Sequence, residues 1–133
     1  MSDKICSYVE HVAIRVKDIH WHIHFFKDVC GMDVREVDGD LNNPNQYWTI
    51  GGLQLMATPD LDEVPSNDKG WLAHLGIMVN NMDAVLKKAY AYDVKELPQG
   101  YNWLQLPDGL AVEFIQAAEG SIEEILSINP RNV

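Results

Sequence analysis

Two stretches of this sequence decide its fold, because the second repeats the pattern of the first. They read Val9-Glu10-His11-Val12-Ala13-Ile14-Arg15-Val16 and Leu72-Ala73-His74-Leu75-Gly76-Ile77-Met78-Val79. In each, an aliphatic face alternates with a face that carries a histidine and, two residues later, a small residue. Such alternation predicts a β-strand. We therefore expect each strand to pack its aliphatic face on a helix and to line a cavity with its histidine face.

The repeat continues along the chain. Three further pairs of segments match in order: Asp33–Val37 with Asp93–Leu97, Tyr47–Trp48 with Asn102–Trp103, and Leu53–Met56 with Val112–Ile115. Internal repetition of this kind indicates two copies of one supersecondary unit. Each copy reads as a strand, a helix and further strands, which predicts an α+β fold of two tandem βαβββ modules.

Capping and turn residues place the elements within each copy. Asp18 predicts a helix over 19–30 that Gly31 ends, and Asn81 predicts a helix over 82–92. Strands are expected near 33–38, 46–50, 53–58, 94–97, 102–106 and 110–116, with a hairpin turn at Pro107-Asp108-Gly109 and a short helix at 121–128. The polar stretches 38–46 and 58–70 are expected to be loops.

The length of 133 residues suits one compact domain and is too short for two independent ones. We assign residues 1–133 to a single domain, with module 1 at about 6–58, a linker at 59–70, module 2 at about 71–117, and a C-terminal tail or helix at 118–133.

The charge and composition exclude several classes of partner. A net charge of −10 disfavours binding to nucleic acid or to an anionic membrane surface. The sequence has no apolar run of membrane-spanning length and no signal peptide, so we expect a cytoplasmic protein. Two isolated cysteines, Cys6 and Cys30, do not make a disulfide framework or a zinc knuckle. Cys30 stands at the end of the predicted helix, where the dipole disfavours a thiolate, so we expect it to be inert.

The repeat also duplicates residues that bind metals. His11 corresponds to His74, and Gln54 corresponds to Glu113. If the modules pack about a pseudo-two-fold axis, these four side chains converge near it, and the mixed sheet forms a cup around the site. Two imidazoles, a carboxylate and an amide oxygen suit a divalent first-row ion, and the set leaves coordination positions open, as catalytic sites do. A structural interpretation must leave Glu113 unpaired among apolar neighbours, which is costly.

Other aromatic and histidine residues have ordinary interpretations. His20, His22 and His24 lie on the first predicted helix, and we expect them to face solvent without a metal, although the spacing of His20 and His24 can bind zinc. Trp48 and Trp103 are repeat-equivalent residues that either flank the cavity or pack in the core.

The pattern as a whole resembles the vicinal oxygen chelate superfamily, which holds glyoxalase I, bleomycin-resistance proteins, fosfomycin-resistance enzymes and extradiol dioxygenases. The resemblance covers about residues 8–117 and rests on five segments: His11–Asp18, Phe25–Met32, Leu53–Leu55, His74–Ile77, and Pro107–Gly109 followed by Glu113. It implies metal ligands on the first strand of each module, His11 and His74, and on the last, Gln54 and Glu113.

Within the superfamily, the sequence is most similar to glyoxalase I. The resemblance implies that Arg15 helps to hold a glutathione carboxylate, whereas Thr58 stands where glyoxalase I tends to have an asparagine. A surface ion pair of Arg15 with Glu10 or Asp18 is the alternative. The implied activity is that of a metal-dependent lyase or isomerase acting on a small substrate with vicinal oxygens. Proton transfer would pass through an enediolate, with Glu113 as the base.

Two other functions stay open. Two histidines and a carboxylate also form the facial triad of non-haem iron dioxygenases, and the same fold serves proteins that bind a drug or metabolite without chemistry. We expect one divalent ion per site, nickel or zinc first and iron, manganese or cobalt as alternatives. The expected partners are a small-molecule substrate and a second copy of the chain, because the cavity-lining face of one chain is large and open.

Overall fold

The computed structural model describes residues 9–61, 73–128 and 131 of the chain. Most of the predicted linker 59–70 lies outside these residues, as does Cys6. The elements follow in the order β1 (Val12–Val16), α1 (Ile19–Cys30), β2 (Val34–Asp40), β3 (Asn43–Thr49), β4 (Leu53–Ala57), β5 (Leu75–Val79), α2 (Met82–Ala89), β6 (Lys95–Leu97), β7 (Gly100–Gln105), β8 (Ala111–Gln116) and α3 (Ser121–Leu126).

The strands form two four-stranded mixed sheets with the same topology. Module 1 has the order β1-β4-β3-β2 and module 2 the order β5-β8-β7-β6. In each sheet the first and last strands of the module pair in parallel, and the other neighbours are antiparallel. The predicted α+β fold of two βαβββ modules is therefore confirmed.

The register reproduces the sequence repeat at single-residue level. Ala13 pairs with Gln54 as Gly76 pairs with Glu113. Across the neighbouring antiparallel strands, Trp48 pairs with Gln54 as Trp103 pairs with Glu113. Equivalent residues of the two modules thus occupy equivalent places in two sheets.

The helices begin at the predicted caps. The Asp18 carboxylate accepts a hydrogen bond from Trp21 N–H, and the Asn81 amide oxygen accepts one from Ala84 N–H. Gly31 ends α1 in the left-handed conformation, with φ of 68°, which glycine adopts without steric cost. Helix α2 ends at Ala89, three residues earlier than its pattern predicted. None of the described helices is long and apolar enough to cross a membrane.

The two modules meet through their helices. Helix α1 packs on β4, α2 packs on β8, and α1 packs against α2. Tyr92, which follows α2, donates its hydroxyl to Asp28 of α1 at 2.8 Å, and its ring lies edge-on to Phe25 and Trp21. Phe25 is fully buried, so the aromatic face of α1 belongs to the core as much as to the contact between modules.

The predicted loop over 38–46 is wrong. Strands β2 and β3 run through this stretch and turn at Leu41–Asn42. Residues in this stretch are polar because they lie at the exposed edge of the sheet, and not because the chain is irregular there. Strand β2 is an edge strand, and its residues 38–40 are exposed. The Asp38/Gly39 step carries a register shift, and Gly39 has φ of 95°. Such a bulge is a common feature of exposed sheet edges.

Candidate metal and substrate site

Module 2 brings one predicted ligand pair together. His74 directly precedes β5, and Glu113 lies on the adjacent parallel strand β8. The His74 Nε2 and Glu113 Oε1 atoms are 3.5 Å apart. The Trp103 ring lies against the imidazole, with the ring centroids 4.5 Å apart and the planes at 59°. Since Trp103 is also the register partner of Glu113, the positions of all three side chains follow from the pairing of β5, β8 and β7.

Module 1 holds the equivalent residues in other contacts. His11 Nδ1–H donates to Glu10 Oε1 at 2.6 Å. Gln54 is buried, and its Nε2 donates to Gln46 Oε1 on the neighbouring strand at 2.5 Å. That bond engages the amide nitrogen of Gln54 and not its oxygen, the atom that binds cations.

The two ligand pairs lie on separate sheets. The His11 and His74 side chains are 40% and 37% exposed, and Ala13 and Gly76, beside them on the same faces, are exposed as well. Among the residues that the structure describes, no three His, Cys, Asp or Glu side chains form a group that could hold a metal ion within one chain. The structure therefore places His74 with Glu113, and it does not place His11 in a group with them.

The geometry of the module 2 pair fits a divalent ion. Nitrogen and oxygen ligands lie about 2.1 Å from such an ion, so two of them at a tetrahedral angle are about 3.4 Å apart. The 3.5 Å between His74 Nε2 and Glu113 Oε1 agrees with that separation. Because an imidazole and a carboxylate are also the donors that zinc and similar ions accept, this pair is suited to be half of a metal site.

Comparisons with known proteins define the fold. No family model matches this chain. It is 25% identical over 126 residues to the uncharacterized protein YwbC of Bacillus subtilis (strain 168), covering 81% of this chain and 96% of that protein. Among solved structures, the trypanothione-dependent glyoxalase I of Leishmania major superposes with a TM-score of 0.62 at 20% identity, covering 92% of this chain and 94% of that one. TnmS3, an antibiotic binding protein from Streptomyces sp. CB03234, superposes with a TM-score of 0.54 at 18% identity, covering 86% and 99%.

The chain has the vicinal oxygen chelate fold. The relatives of this fold include an enzyme and a binding protein, so the fold alone does not select between them.

The remaining predicted site residues occupy different surroundings in this vicinal oxygen chelate fold. Arg15 is exposed on β1, two residues beyond Ala13. Trp48 and Trp103 are both half-buried; Trp103 packs against the His74 ring, and Trp48 is the register partner of Gln54. Glu10, the alternative partner of Arg15, is instead bound by Arg131.

The prediction for the α1 histidines is wrong at one position. His20 and His24 are exposed, but His22 is 1% exposed. Its Nδ1–H donates to the Asp18 carbonyl at 2.7 Å, whereas the buried Nε2 has no hydrogen-bond partner among the residues that the structure describes and lies 3.9 Å from Asp108 Oδ2. Burial lowers the pKa of His22, against the opposing effects of the Asp18 carbonyl and the Asp108 carboxylate. His22 faces inward because it shares one helix face with Ile19, Phe26 and Val29.

Cys30 is a partly buried thiol. Burial raises its pKa to about 12, so the residue is a thiol rather than a thiolate near neutral pH. The predicted inertness therefore rests mainly on desolvation rather than on the helix dipole.

An apolar cavity of about 330 Å³ lies between the two modules, under α3. Its lining includes Gly76 and Met78 of β5, Val12 of β1, and Ile122 and Leu126 of α3. Because Gly76 is the register partner of Glu113, the cavity adjoins the strand pair that carries the module 2 ligands. No local pattern of residues indicates this cavity, since α3 is remote from β1 and β5 along the chain.

Proposed function

We propose that this protein is a metal-dependent lyase or isomerase of glyoxalase I type, acting on a small substrate with vicinal oxygens. The observation that supports this most is the His74–Glu113 pair, whose 3.5 Å separation suits two ligands of one ion. His11, Gln54, His74 and Glu113 would hold the ion. The metal supplies polarisation of the two substrate oxygens, which acidifies the adjacent carbon–hydrogen bond.

The proposed proton transfer belongs to Glu113. A carboxylate accepts a proton from one carbon and returns it to the neighbouring carbon, which the amide of Gln54 cannot do. Trp103 packs against the His74 imidazole beside this carboxylate. Arg15, exposed on β1 four residues after His11, is proposed to bind an anionic group of the substrate.

We propose further that each site is completed by two copies of the chain. The modules of one chain meet through α1 and α2, whereas the faces that carry His11 and His74 are exposed. In a homodimer, module 1 of one copy would then supply His11 and Gln54 to the His74–Glu113 pair of the other. Both sites of a two-fold dimer would be identical.

Complementation tests this arrangement. His11→Ala and His74→Ala chains are purified separately, mixed under conditions that exchange subunits, and assayed for bound zinc and for turnover of a glutathione thiohemiacetal. If sites form between copies, a mixed dimer has one site with both changes and one intact site, so about a quarter of all sites is restored at random pairing. Each variant mixed with itself is the matched control.

The outcomes separate the parts of the proposal. If mixing the two variants restores both zinc binding and turnover, the metal-dependent function and the shared site are both supported. If wild type binds zinc but mixing the variants restores none, the shared site is contradicted. Wild-type protein that binds no zinc, nickel, iron, manganese or cobalt on purification or titration contradicts the metal-dependent function. A cytoplasmic location remains a prediction that fractionation of the source cells tests.

Small-molecule binding without chemistry is the second candidate function. The apolar cavity of about 330 Å³ favours it, because such a volume accommodates part of a drug-sized molecule. The similarity to TnmS3 is compatible with this function. A hydrophobic ligand that binds the His11→Ala/His74→Ala double variant as tightly as wild type would identify a binding protein.

A further inference from the structure

The two predicted histidine ligands differ in the residue that precedes them. Glu10 stands before His11, whereas Ala73 stands before His74. The repeat otherwise places the two histidines equivalently, each directly before the first strand of its module. An interaction between the histidine and the preceding side chain of this kind is therefore specific to module 1. His74 in module 2 serves as an internal reference.

The Glu10 carboxylate contacts one of the two ring nitrogens of His11. His11 Nδ1 lies 2.6 Å from Glu10 Oε1, and a carboxylate only accepts hydrogen bonds. The neutral imidazole must therefore place its hydrogen on Nδ1, which leaves the lone pair on Nε2. His74 has no such contact at Nδ1 among the bonds of the described residues, and its Nε2 faces Glu113 instead.

Arg131, near the C-terminus, holds the Glu10 carboxylate in place. Its Nε lies 2.5 Å from Oε2 and its Nη2 lies 3.3 Å from Oε1, so both carboxylate oxygens are engaged. A forked contact of this kind fixes the plane of the carboxylate. Arg131 Nη1 also lies 3.9 Å from Glu36 Oε2, and this second carboxylate has no contact with His11 in the described structure.

We propose that Glu10 is a positioning residue for His11 and that Arg131 anchors it. Glu10 holds the Nδ1–H tautomer and orients the ring, so that Nε2 is the nitrogen offered to the ion. The inference rests on the proposed function in that His11 is taken as a ligand. Carboxylates that hold the outer nitrogen of a histidine ligand raise its basicity and fix its tautomer.

The first test uses metal-free protein. Two-dimensional ¹⁵N NMR of the histidine side chains, recorded at a pH where the imidazoles are neutral, reports the tautomer of each ring. We expect His11 to be Nδ1–H in wild type and in Glu36→Gln, which is the matched control. Glu10→Ala should give a mixture dominated by the Nε2–H form, and Glu10→Asp should restore part of the original signal. The His74 signals should be the same in all these proteins.

The second test uses zinc alone as the probe. Loss of a supporting carboxylate costs about 10–100-fold in metal affinity, so Glu10→Ala should bind zinc that much more weakly. Arg131→Gln, which keeps Glu10 but removes its charged anchor, should fall between Glu10→Ala and wild type. Glu36→Gln should bind zinc as wild type does.

Different results overturn the two proposals separately. An Nε2–H tautomer of His11 in wild type, or an unchanged tautomer in Glu10→Ala, overturns the role of Glu10. An Nδ1–H tautomer that depends on Glu10, in a wild-type protein that binds no metal, overturns the proposed function and leaves the positioning of His11 intact. If the tautomer of His11 shifts in Glu10→Ala while the zinc affinity equals that of wild type, the link between the His11 tautomer and metal binding is overturned.

Discussion

The two modules share a topology, a strand register and their helix caps, yet they hold their predicted ligands differently. In module 2 the predicted ligand histidine faces an acid and packs on a tryptophan, as the contacts of His74 with Glu113 and Trp103 show. In module 1 the histidine bonds to the preceding residue, and the equivalent of the acid is the neutral Gln54, bonded to Gln46. The two halves therefore share the positions of these residues and differ in the chemistry of their side chains.

Under the proposed function, this difference gives Glu113 and Gln54 unequal roles within one site. A metal carboxylate contributes charge and basicity, whereas an amide oxygen contributes only a dipole. If two copies of the chain complete each site, every site receives one carboxylate from module 2 and one amide from module 1. The base is then the module 2 residue in both sites of the dimer.

Exchanging the acid and the amide should have the largest effect. Glu113→Gln keeps the size and the ligand oxygen but removes the base, so it should retain metal and lose about 10²–10⁴-fold in turnover. Gln54→Glu should hold metal at least as tightly as wild type, because a second anionic ligand strengthens the attraction to the cation, and should keep measurable activity. Metal analysis and turnover of both variants decide this. Equal turnover in Glu113→Gln and wild type would remove Glu113 from the mechanism and favour the dioxygenase or binding functions.

Removing the module 2 imidazole should have the next largest effect. His74→Ala takes away a direct ligand, so metal affinity should fall by at least the roughly 10–100-fold that follows loss of a supporting residue. Its fold should survive because the side chain is partly exposed. The control is His20→Gln combined with His24→Gln, which removes two exposed imidazoles from α1 and leaves the buried His22 in place. Full metal content in His74→Ala, measured by elemental analysis, would show that the site lies elsewhere.

The same comparison shows what sequence reasoning can reach. The repeat predicted both sheets, and Asp18, Asn81 and Gly31 marked helix ends, because caps and periodic apolar residues act locally. The hairpin of β2 and β3 was missed because polarity at an exposed edge imitates a loop. Contacts between distant residues leave no local pattern, as with the bond of Arg131 to Glu10.

The burial of His22 had a usable signal. It falls three residues after Ile19 and four before Phe26, which are spacings of one helix face, but a histidine among neighbouring exposed histidines suggested solvent. The ligand contacts themselves were only partly predictable. The repeat predicted that His74 and Glu113 share a site, but the register that sets Glu113 beside Gly76 and the bond of His11 to Glu10 depend on strand pairing and side-chain rotamers that periodicity does not determine.

Stability at acid pH should also distinguish the modules. His22 of α1 corresponds to Val85 of α2, four residues after the cap in each helix, and both are buried. Because burial lowers the pKa of His22 in the folded state, the unfolded chain binds the proton first as pH falls. The contribution of neutral His22 to the free energy of unfolding is therefore fully present above the unfolded pKa of about 6.5. This contribution is lost as pH falls below that value.

Replacing His22 with the module 2 residue tests this assignment. His22→Val should lose less stability than wild type between neutral and mildly acid pH, measured by urea unfolding at several pH values. His24→Val changes an exposed imidazole on the same helix and is the matched control. Equal pH dependence in His22→Val and wild type would mean that the buried imidazole does not contribute to acid sensitivity.

The helix caps should give the smallest effects, and they test whether the two modules are equivalent in energy as well as in position. Asp18→Ala and Asn81→Ala each leave a first-turn N–H without its side-chain acceptor, so each should cost about 1 kcal/mol of unfolding free energy.

Asp18 also places a negative charge at the positive end of the α1 dipole, which adds about 0.3–1 kcal/mol at low salt. The loss in Asp18→Ala should therefore shrink as salt rises, while the loss in Asn81→Ala should not, because its cap is neutral. Thermal unfolding of both variants at low and high salt measures the difference. A salt-independent loss in Asp18→Ala would show that the charge of the cap contributes nothing beyond its hydrogen bond, and that the two caps are interchangeable.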